Sequence, residues 1–316
     1  DAKEVIDRSA EQVLFAEELG FYSAWLAEHH FTRYSIGSSS LILATNLAAR
    51  TKTIRLGTAV LVSPLHNPLR LAEDTATLDL ISGGRLDVGF GRGSGGYEYH
   101  GYNINADESL DRFKDSVNMV QGLWTTPDFT YSGQHFQVNR ANLVPMPIQK
   151  PHPPMIRACS GLESTLEMAR EGRPFMMNVQ SDEVTVERMD QYRAAMSDAG
   201  HNNETVARNV ADSWVWRNIF VAETDAEAEA VGIPYFKGMR AYLQTNRNRM
   251  NTTAELEAQS SGAVGAARNS LEHGIIVGSP ETVCERLETV NGTGVGGVII
   301  HFRLGAMPYD VAANSL

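Results

Sequence analysis

Two adjacent imidazoles, His29 and His30, stand where an apolar segment, 22–27, runs out, with Glu28 before them and Phe31 after. A neutral imidazole can take and return a proton near neutral pH, and a neighbouring carboxylate can fix which ring nitrogen carries it. In a β/α protein the carboxyl end of a strand is where chemistry is done, so the pair reads as a candidate acid/base site. The ordinary alternative is one buried, hydrogen-bonded histidine beside a solvated one. Glu28 and the strand-end position favour the chemical reading, and no further histidine or acid follows at metal-ligand spacing.

A second candidate is the glycine strip Gly89-Phe90-Gly91-Arg92-Gly93-Ser94-Gly95-Gly96. Gly91, Gly93 and Gly96 satisfy G-x-G-x-x-G, but a dinucleotide site needs a helix opening at once and an acidic strand end further on. Tyr97-Glu98-Tyr99-His100 intervenes here, and Asp111 falls in a helical segment. The strip therefore reads as a loop whose glycines let the backbone lie against a flat ligand, with Arg92 for a phosphate or ring carbonyl. A plain tight loop is the alternative. A third feature, Cys159-Ser160-Gly161 with Ser164-Thr165, lies where a strand ends and a helix starts. Free N–H groups and hydroxyls there make an anion site, against the ordinary reading of Ser160 or Ser164 as helix caps. Thr58 to Val62, then Ser63-Pro64-Leu65-His66-Asn67-Pro68, puts small residues at another strand end, with Arg70, Glu73 and Asp74 read as surface pairs.

The elements that must position these groups alternate. Apolar periodicity predicts helices at 3–19, 39–50, 69–81, 110–124, 164–171 and 183–199. Strands are predicted at 22–27, 54–62, 86–91, 155–159, 175–179, 212–221 and 297–302. A small hairpin at 129–138 and the proline-rich 144–154 form an excursion, about 128–154, from this rhythm. After a helix at 225–250 the composition turns to Ala, Ser and Gly, which suits a mobile lid at about 250–275 or an ordinary surface connection. Ser279-Pro280-Glu281 restarts a helix as N-cap, first-turn proline and first-turn acid.

Seven strands separated by helices suit a parallel sheet with helices outside, and short connections favour one closed β/α (TIM) barrel domain over 1–316. Eight strands are needed, and the helix at Asp1 asks for a strand before it, so the first strand is expected to be missing from this chain. With 316 residues and 42% hydrophobic content the chain can bury a full core, and its net charge of -11 speaks against a nucleic-acid partner. Cys159 and Cys284, in unlike contexts, suggest a reducing compartment, and no apolar run is long enough for a bilayer. The expectation is a soluble cytoplasmic enzyme.

Several segments together resemble the bacterial luciferase-like flavin-dependent monooxygenases. They are Trp25 to Thr32, Leu56-Gly57-Thr58-Ala59, Asn67-Pro68, Ala72-Glu73-Asp74, Gly84 to Gly89 with Gly91-Arg92-Gly93, and Val277-Gly278-Ser279-Pro280-Glu281. The resemblance implies an eight-stranded β/α barrel that takes reduced FMN from a separate reductase, uses O2 on a small organic substrate, and forms a homodimer. It makes His29 the base and His30 its neighbour in the pocket. Ala59 and Val60 would lie against the flavin ring, at a peptide that is cis in luciferase. Gly91, Arg92 and Gly93 would line the flavin, and Ser160, Gly161 and Ser164 would take its phosphate.

Two departures stand out. Luciferase has a reactive cysteine where Gly91 stands, so light emission is not implied. Many relatives place a phosphate-binding arginine soon after a serine like Ser109, but Leu110 follows here, leaving Arg112 as the substitute. A deazaflavin-dependent oxidoreductase of the same superfamily, or a non-catalytic flavin-binding protein, are the alternatives. The histidine pair, the glycine strip and the serine cluster are expected to converge around one isoalloxazine, with Phe31, Tyr34, Tyr97, Tyr99 and His100 shaping the substrate pocket.

Overall fold

A computed structural model describes residues 1–33, 35, 37–93, 95–253, 256 and 267–316. The chain divides into two compact units, Asp1–Met155 and Ile156–Leu316. Both are built from parallel strands with helices between them.

In the first unit the helix Ala2–Glu18 starts on a reciprocal cap, in which Asp1 accepts from the Glu4 N–H while Glu4 reaches back to the Asp1 backbone. It leads to β1 (Ser23–Leu26). The helix Ser40–Ala48 then precedes β2 (Arg55–Thr58) and the short β3 (Leu61–Val62). The helix Pro68–Ser82, capped by Asn67 and stopped by left-handed Gly83, leads to β4 (Leu86–Gly91). β1 pairs with β2, and β2 and β3 pair with β4, all parallel. The single strand expected at 54–62 is thus broken at Ala59-Val60, whose peptide is cis.

Alternation along these strands sorts the side chains onto two faces. Leu56, Leu86, Val88 and Phe90 pack with Leu47, Leu71, Ala76, Val120 and Trp124 in the helix-covered core. Asp87, Gly89 and Gly91 are left on the opposite face of β4. After the helix Ser109–Thr125, the expected hairpin is present as antiparallel β5 (Phe129–Ser132) and β6 (Gln137–Ala141).

The second unit continues from β7 (Met155–Cys159) through the helix Leu162–Glu171 to β8 (Phe175–Met177). The helix Asp182–Asp198 follows, then β9 (Trp214–Val221). Next come the helix Asp225–Met250, β10 (Ile275–Gly278), the helix Pro280–Asn291 capped by Ser279, and β11 (Gly297–His301). β7 pairs with β8, and β9 pairs with β8, β10 and β11, all parallel. Cys159, Phe175, Met177, Val215 and Ile219 form the core with Met168, Met189, Tyr192 and Val283.

Several elements were not expected, among them the terminal helix Tyr309–Asn314 and three nearer the strands. The helix Asn203–Ala211 is polar and depends on its Asn202 cap, and β10 is only 4 residues long, below what periodicity can register. The third is a 6-residue helix, Gly96–Gly101, directly after the glycine strip, where a loop was read. Residues 254–255 and 257–266 of the lid expected at about 250–275 lie outside the described residues, as do Tyr34 and Ser94. No helix among the described residues is long and apolar enough to cross a membrane.

Candidate active site

The histidine pair sits just beyond β1, and its two imidazoles are held by two different carboxylates. Glu28 is 3% exposed and His30 5%. Glu28 Oε1 accepts from His30 Nε2 at 2.9 Å and from His66 Nε2 at 2.8 Å, and Glu28 Oε2 accepts from the Val62 N–H at 3.2 Å. Burial by itself would raise the Glu28 pKa, but the two imidazole hydrogen bonds, the His66 charge and the Val62 N–H hold it down at about 2. Since Glu28 can only accept, His30 carries its proton on Nε2 and its Nδ1 accepts from the Tyr102 hydroxyl at 3.2 Å. Both ring nitrogens of His30 are thereby engaged. Tyr102 also meets it edge-on, with ring centroids 4.9 Å apart.

His29 turns the other way. It is about one-third exposed, and its Nδ1 faces Glu98 Oε1 at 3.4 Å. Glu98 is 2% exposed, is carried by the helix Gly96–Gly101, and accepts the His30 main-chain N–H at 2.9 Å through the same oxygen. With Nδ1–H as the donor, Nε2 of His29 carries the lone pair, the tautomer a general base needs. The Phe31 backbone turns left-handed (φ 60) directly after the pair, and its ring packs where a Cβ on Gly101 would lie, 2.2 Å away.

The residues expected to line a flavin ring meet in the first unit. A Cβ on Gly91 would stand 2.2 Å from Val60 Cγ2, so the half-buried Val60 can lie over the end of β4 only because residue 91 is glycine. Gly93 has φ 76, and a Cβ there would lie 2.7 Å from Val62 Cγ1. The Arg92 side chain is exposed, while its carbonyl accepts from the Tyr99 hydroxyl. Beneath them Thr58 Oγ1 both donates to the Gly89 carbonyl at 3.0 Å and accepts the Gly89 N–H at 2.9 Å, tying β2 to β4. Arg112 does not stand ready for an anion: it donates to Glu108 at 2.9 Å and lies over the Phe136 ring. Arg70 pairs with Glu73 and Asp74 on the surface, as expected.

Ser160, Gly161 and Ser164 belong to the second unit. Gly161 is the N-cap of the helix Leu162–Glu171, and no side chain caps it. The hydroxyls of Ser164 and Thr165 instead donate to the Gly161 carbonyl at 2.9 and 3.1 Å. The capping reading therefore fails for both serines, and the first-turn amides are left pointing out of the helix. The Cys159 thiol is buried beneath them, meets the Ser164 and Thr165 hydroxyls, and is pushed up to about 11 by burial.

Sequence reasoning missed Glu98 and His66. Glu98 was read only as part of a segment interrupting a nucleotide motif, and His66 only as part of a loop. A signal existed for Glu98, a lone acid between aromatic residues just past the glycine strip. No cluster of three or more potential metal ligands is found among the described residues.

Against known proteins, the family model for luciferase-like monooxygenases matches residues 1–296. The chain is 32% identical over 155 residues to the oxygenase component of a flavin-dependent trigonelline monooxygenase from Acinetobacter baylyi, covering 48% of this chain and 43% of the relative. It spans about half the length of the first curated relatives it matches. Among solved structures, the monooxygenase RslO1 from Streptomyces bottropensis is 28% identical with a TM-score of 0.83, covering 100% of this chain and 91% of that one. The fold alone is shared with an FMN complex of the oxygenating constituent of 3,6-diketocamphane monooxygenase from Pseudomonas putida, at 18% identity, TM-score 0.79, and 100% and 92% coverage. The same holds for an F420-dependent secondary alcohol dehydrogenase, at 16% identity, TM-score 0.74, and 98% and 92% coverage. The α/β fold with parallel strands and the match along most of the sequence agree: this chain belongs to the luciferase-like monooxygenase family.

Proposed function

We propose that this protein is the oxygenase component of a two-component system, a cytoplasmic homodimer that takes reduced FMN from a separate reductase and oxygenates a small organic substrate with O2. The observation that carries this reading is the His29–Glu98 pair, with its base-forming tautomer, in the same unit as the Val60–Gly91 platform. The family match and the oxygenase component among the relatives support it.

The residues present fit a flavin. Gly91 leaves the room that Val60 fills, giving an apolar surface where a flat ring can lie, and Gly93 keeps the next turn of backbone low. The uncapped amides after Gly161, with Ser160 and Ser164, suit a phosphate. Reduced FMN, when bound, supplies the oxygen chemistry. The protein's part is then to hold the ring, keep water from it, and manage the proton. His29 Nε2 accepts that proton, and Glu98 stabilises the imidazolium that results through its contact with Nδ1. His30, locked between Glu28 and Tyr102, holds its neighbour in place.

The test is to mix the purified protein separately with reduced FMN and with a reduced deazaflavin, admit oxygen, and follow absorbance and substrate oxidation. Oxygen-dependent product with reduced FMN is the expected result. Binding of the deazaflavin alone points instead to hydride transfer and defeats the proposal. The His29→Ala variant should retain flavin binding and lose about 10²- to 10⁴-fold in product formation. Unchanged turnover removes His29 as the base.

A further inference from the structure

The sheet of the second unit carries a polar dyad that the proposed function leaves unused. Along β9, Val215 and Ile219 enter the helix-covered core, and Arg217 pairs with Asp182 of the helix Asp182–Asp198. Alternation then puts Trp214, Trp216 and Asn218 on the other face, beside Gly297, Ile299 and His301 of β11, with which they stand in register. There Asn218 Oδ1 and His301 Nδ1 are 3.0 Å apart, and the Trp216 and His301 rings meet nearly at right angles with centroids 5.6 Å apart. Asn218 is 5% exposed, whereas Trp214, Trp216 and His301 are each partly exposed.

The hydrogen bonds fix which ring nitrogen of His301 carries the proton. Asn218 Nδ2 donates to the Gly274 carbonyl at 2.6 Å, and a carbonyl can only accept, so the amide oxygen is the atom that faces His301. Nδ1 must therefore be the N–H, which leaves the lone pair on Nε2. No donor meets Nε2 among the described residues. Burial and the Arg303 charge outweigh a contact with the Arg303 backbone and lower the His301 pKa to about 4, so the ring is uncharged at neutral pH. The contrast with His29 lies in the partner: the Glu98 carboxylate favours an imidazolium, and a neutral amide does not. His301 thus offers an acceptor where His29 offers a base.

The wall beside this acceptor is flat and aromatic. A Cβ on Gly297 would stand 2.3 Å from the Trp214 ring, so that indole lies over β11 only because residue 297 is glycine, and Ile299 lies between Gly297 and His301 on the same face. We propose that His301, oriented by Asn218 and flanked by Trp216, is a specificity-determining acceptor for an uncharged aromatic ligand that bears an O–H or N–H donor, as a phenol does. An analogue without the donor leaves Nε2 unpaired and is bound less well. That this ligand is the substrate to be oxygenated rests on the proposed function, but the ligand site itself does not.

The experiment measures dissociation constants for naphthol and for its methyl ether by titration calorimetry at neutral pH, in wild type, His301→Leu and Asn218→Leu, and follows the ring nitrogen signals of His301 by NMR. Wild type should bind naphthol about 5- to 10-fold more tightly than the ether, the worth of one hydrogen bond, and His301→Leu should bind the two alike. Asn218→Leu frees the ring to carry its proton on Nε2 and should shrink the preference. In wild type the Nε2 signal should lie at its unprotonated position, and it should move on addition of naphthol but not of the ether. A purely structural histidine would show neither the ligand preference nor the shifted signal.

Equal binding of the two ligands by wild type, binding of neither, or an undiminished preference in His301→Leu overturns the acceptor, while the flavin function is decided by its own titrations. If wild type prefers naphthol but no reduced flavin supports oxygenation, the ligand site stands and the proposed function falls. Should neither variant fold, the wild-type ring signal is decisive: an Nε2 that carries the proton, or that naphthol leaves unmoved, overturns the inference.

Discussion

Replacing Glu28 by glutamine should destabilise the fold by an amount that depends on pH in a defined way. The folded protein holds the Glu28 carboxyl at about 2, against an ordinary 4.5. Between those values folding favours the ionised form, a difference worth about 3 kcal/mol at pH 7. Because the folded pKa is depressed, this stabilisation is fully present above about pH 4.5 and disappears as pH falls toward about 2. By pH 3 about 2 kcal/mol of it should be gone. Glutamine keeps an acceptor for His30 and His66 but has no charge and turns an NH2 toward the Val62 N–H, a loss that does not vary with pH, so the pH-dependent part of the gap isolates the ionised contribution. Urea unfolding of wild type and Glu28→Gln at pH 7, 5 and 3 reads the gap directly. A gap that stays constant across this range, or is below about 1 kcal/mol at pH 7, refutes the view that the two imidazoles hold this carboxyl ionised.

Other expectations follow from single contacts. Gly91→Ala places a methyl group 2.2 Å from Val60 Cγ2, which should cost about 1–3 kcal/mol in thermal unfolding, and Val60→Ala in the same chain should recover most of it. Asp87→Asn breaks the twofold grip of Arg55 on a carboxylate that is 5% exposed, at 2.6 and 2.8 Å, and should destabilise by about 3 kcal/mol in urea titration. A thiol reagent applied to native protein should label the exposed Cys284 and spare Cys159, whose burial keeps it protonated, and mass mapping of the label checks this. Ser279→Ala removes the hydroxyl that accepts the Thr282 N–H at the start of the helix Pro280–Asn291, and should cost about 1 kcal/mol.

The sequence spoke clearly wherever one physical signal dominated. β4 and β7 were read to the residue, because short apolar runs between glycine, proline and polar residues leave few other readings. The helix Asp225–Met250 and the Ser279-Pro280-Glu281 start were equally plain, through capping chemistry. The 54–62 strand was read as continuous because β-branched and apolar residues run through it, while the break at Ala59-Val60 leaves no trace in periodicity. The site was half legible. His29, the glycine strip and the serine turn announced themselves by residue type, but Glu98 and His66 act across 69 and 38 residues of chain. Such partners are chosen by tertiary packing, which local pattern does not encode.

The division of the two imidazoles between separate acids gives a way to sort related chains. Retaining both histidines says little by itself, since one of them braces the scaffold against Glu28 and Tyr102. A relative that keeps that brace but has lost the acid corresponding to Glu98 should fold and melt normally yet turn over poorly, as a degenerate copy or an accessory subunit would. One that keeps Glu98 but lacks Glu28 should be fragile before it is inactive. Reading these two positions together, in preference to the histidine doublet alone, separates working members from inert ones.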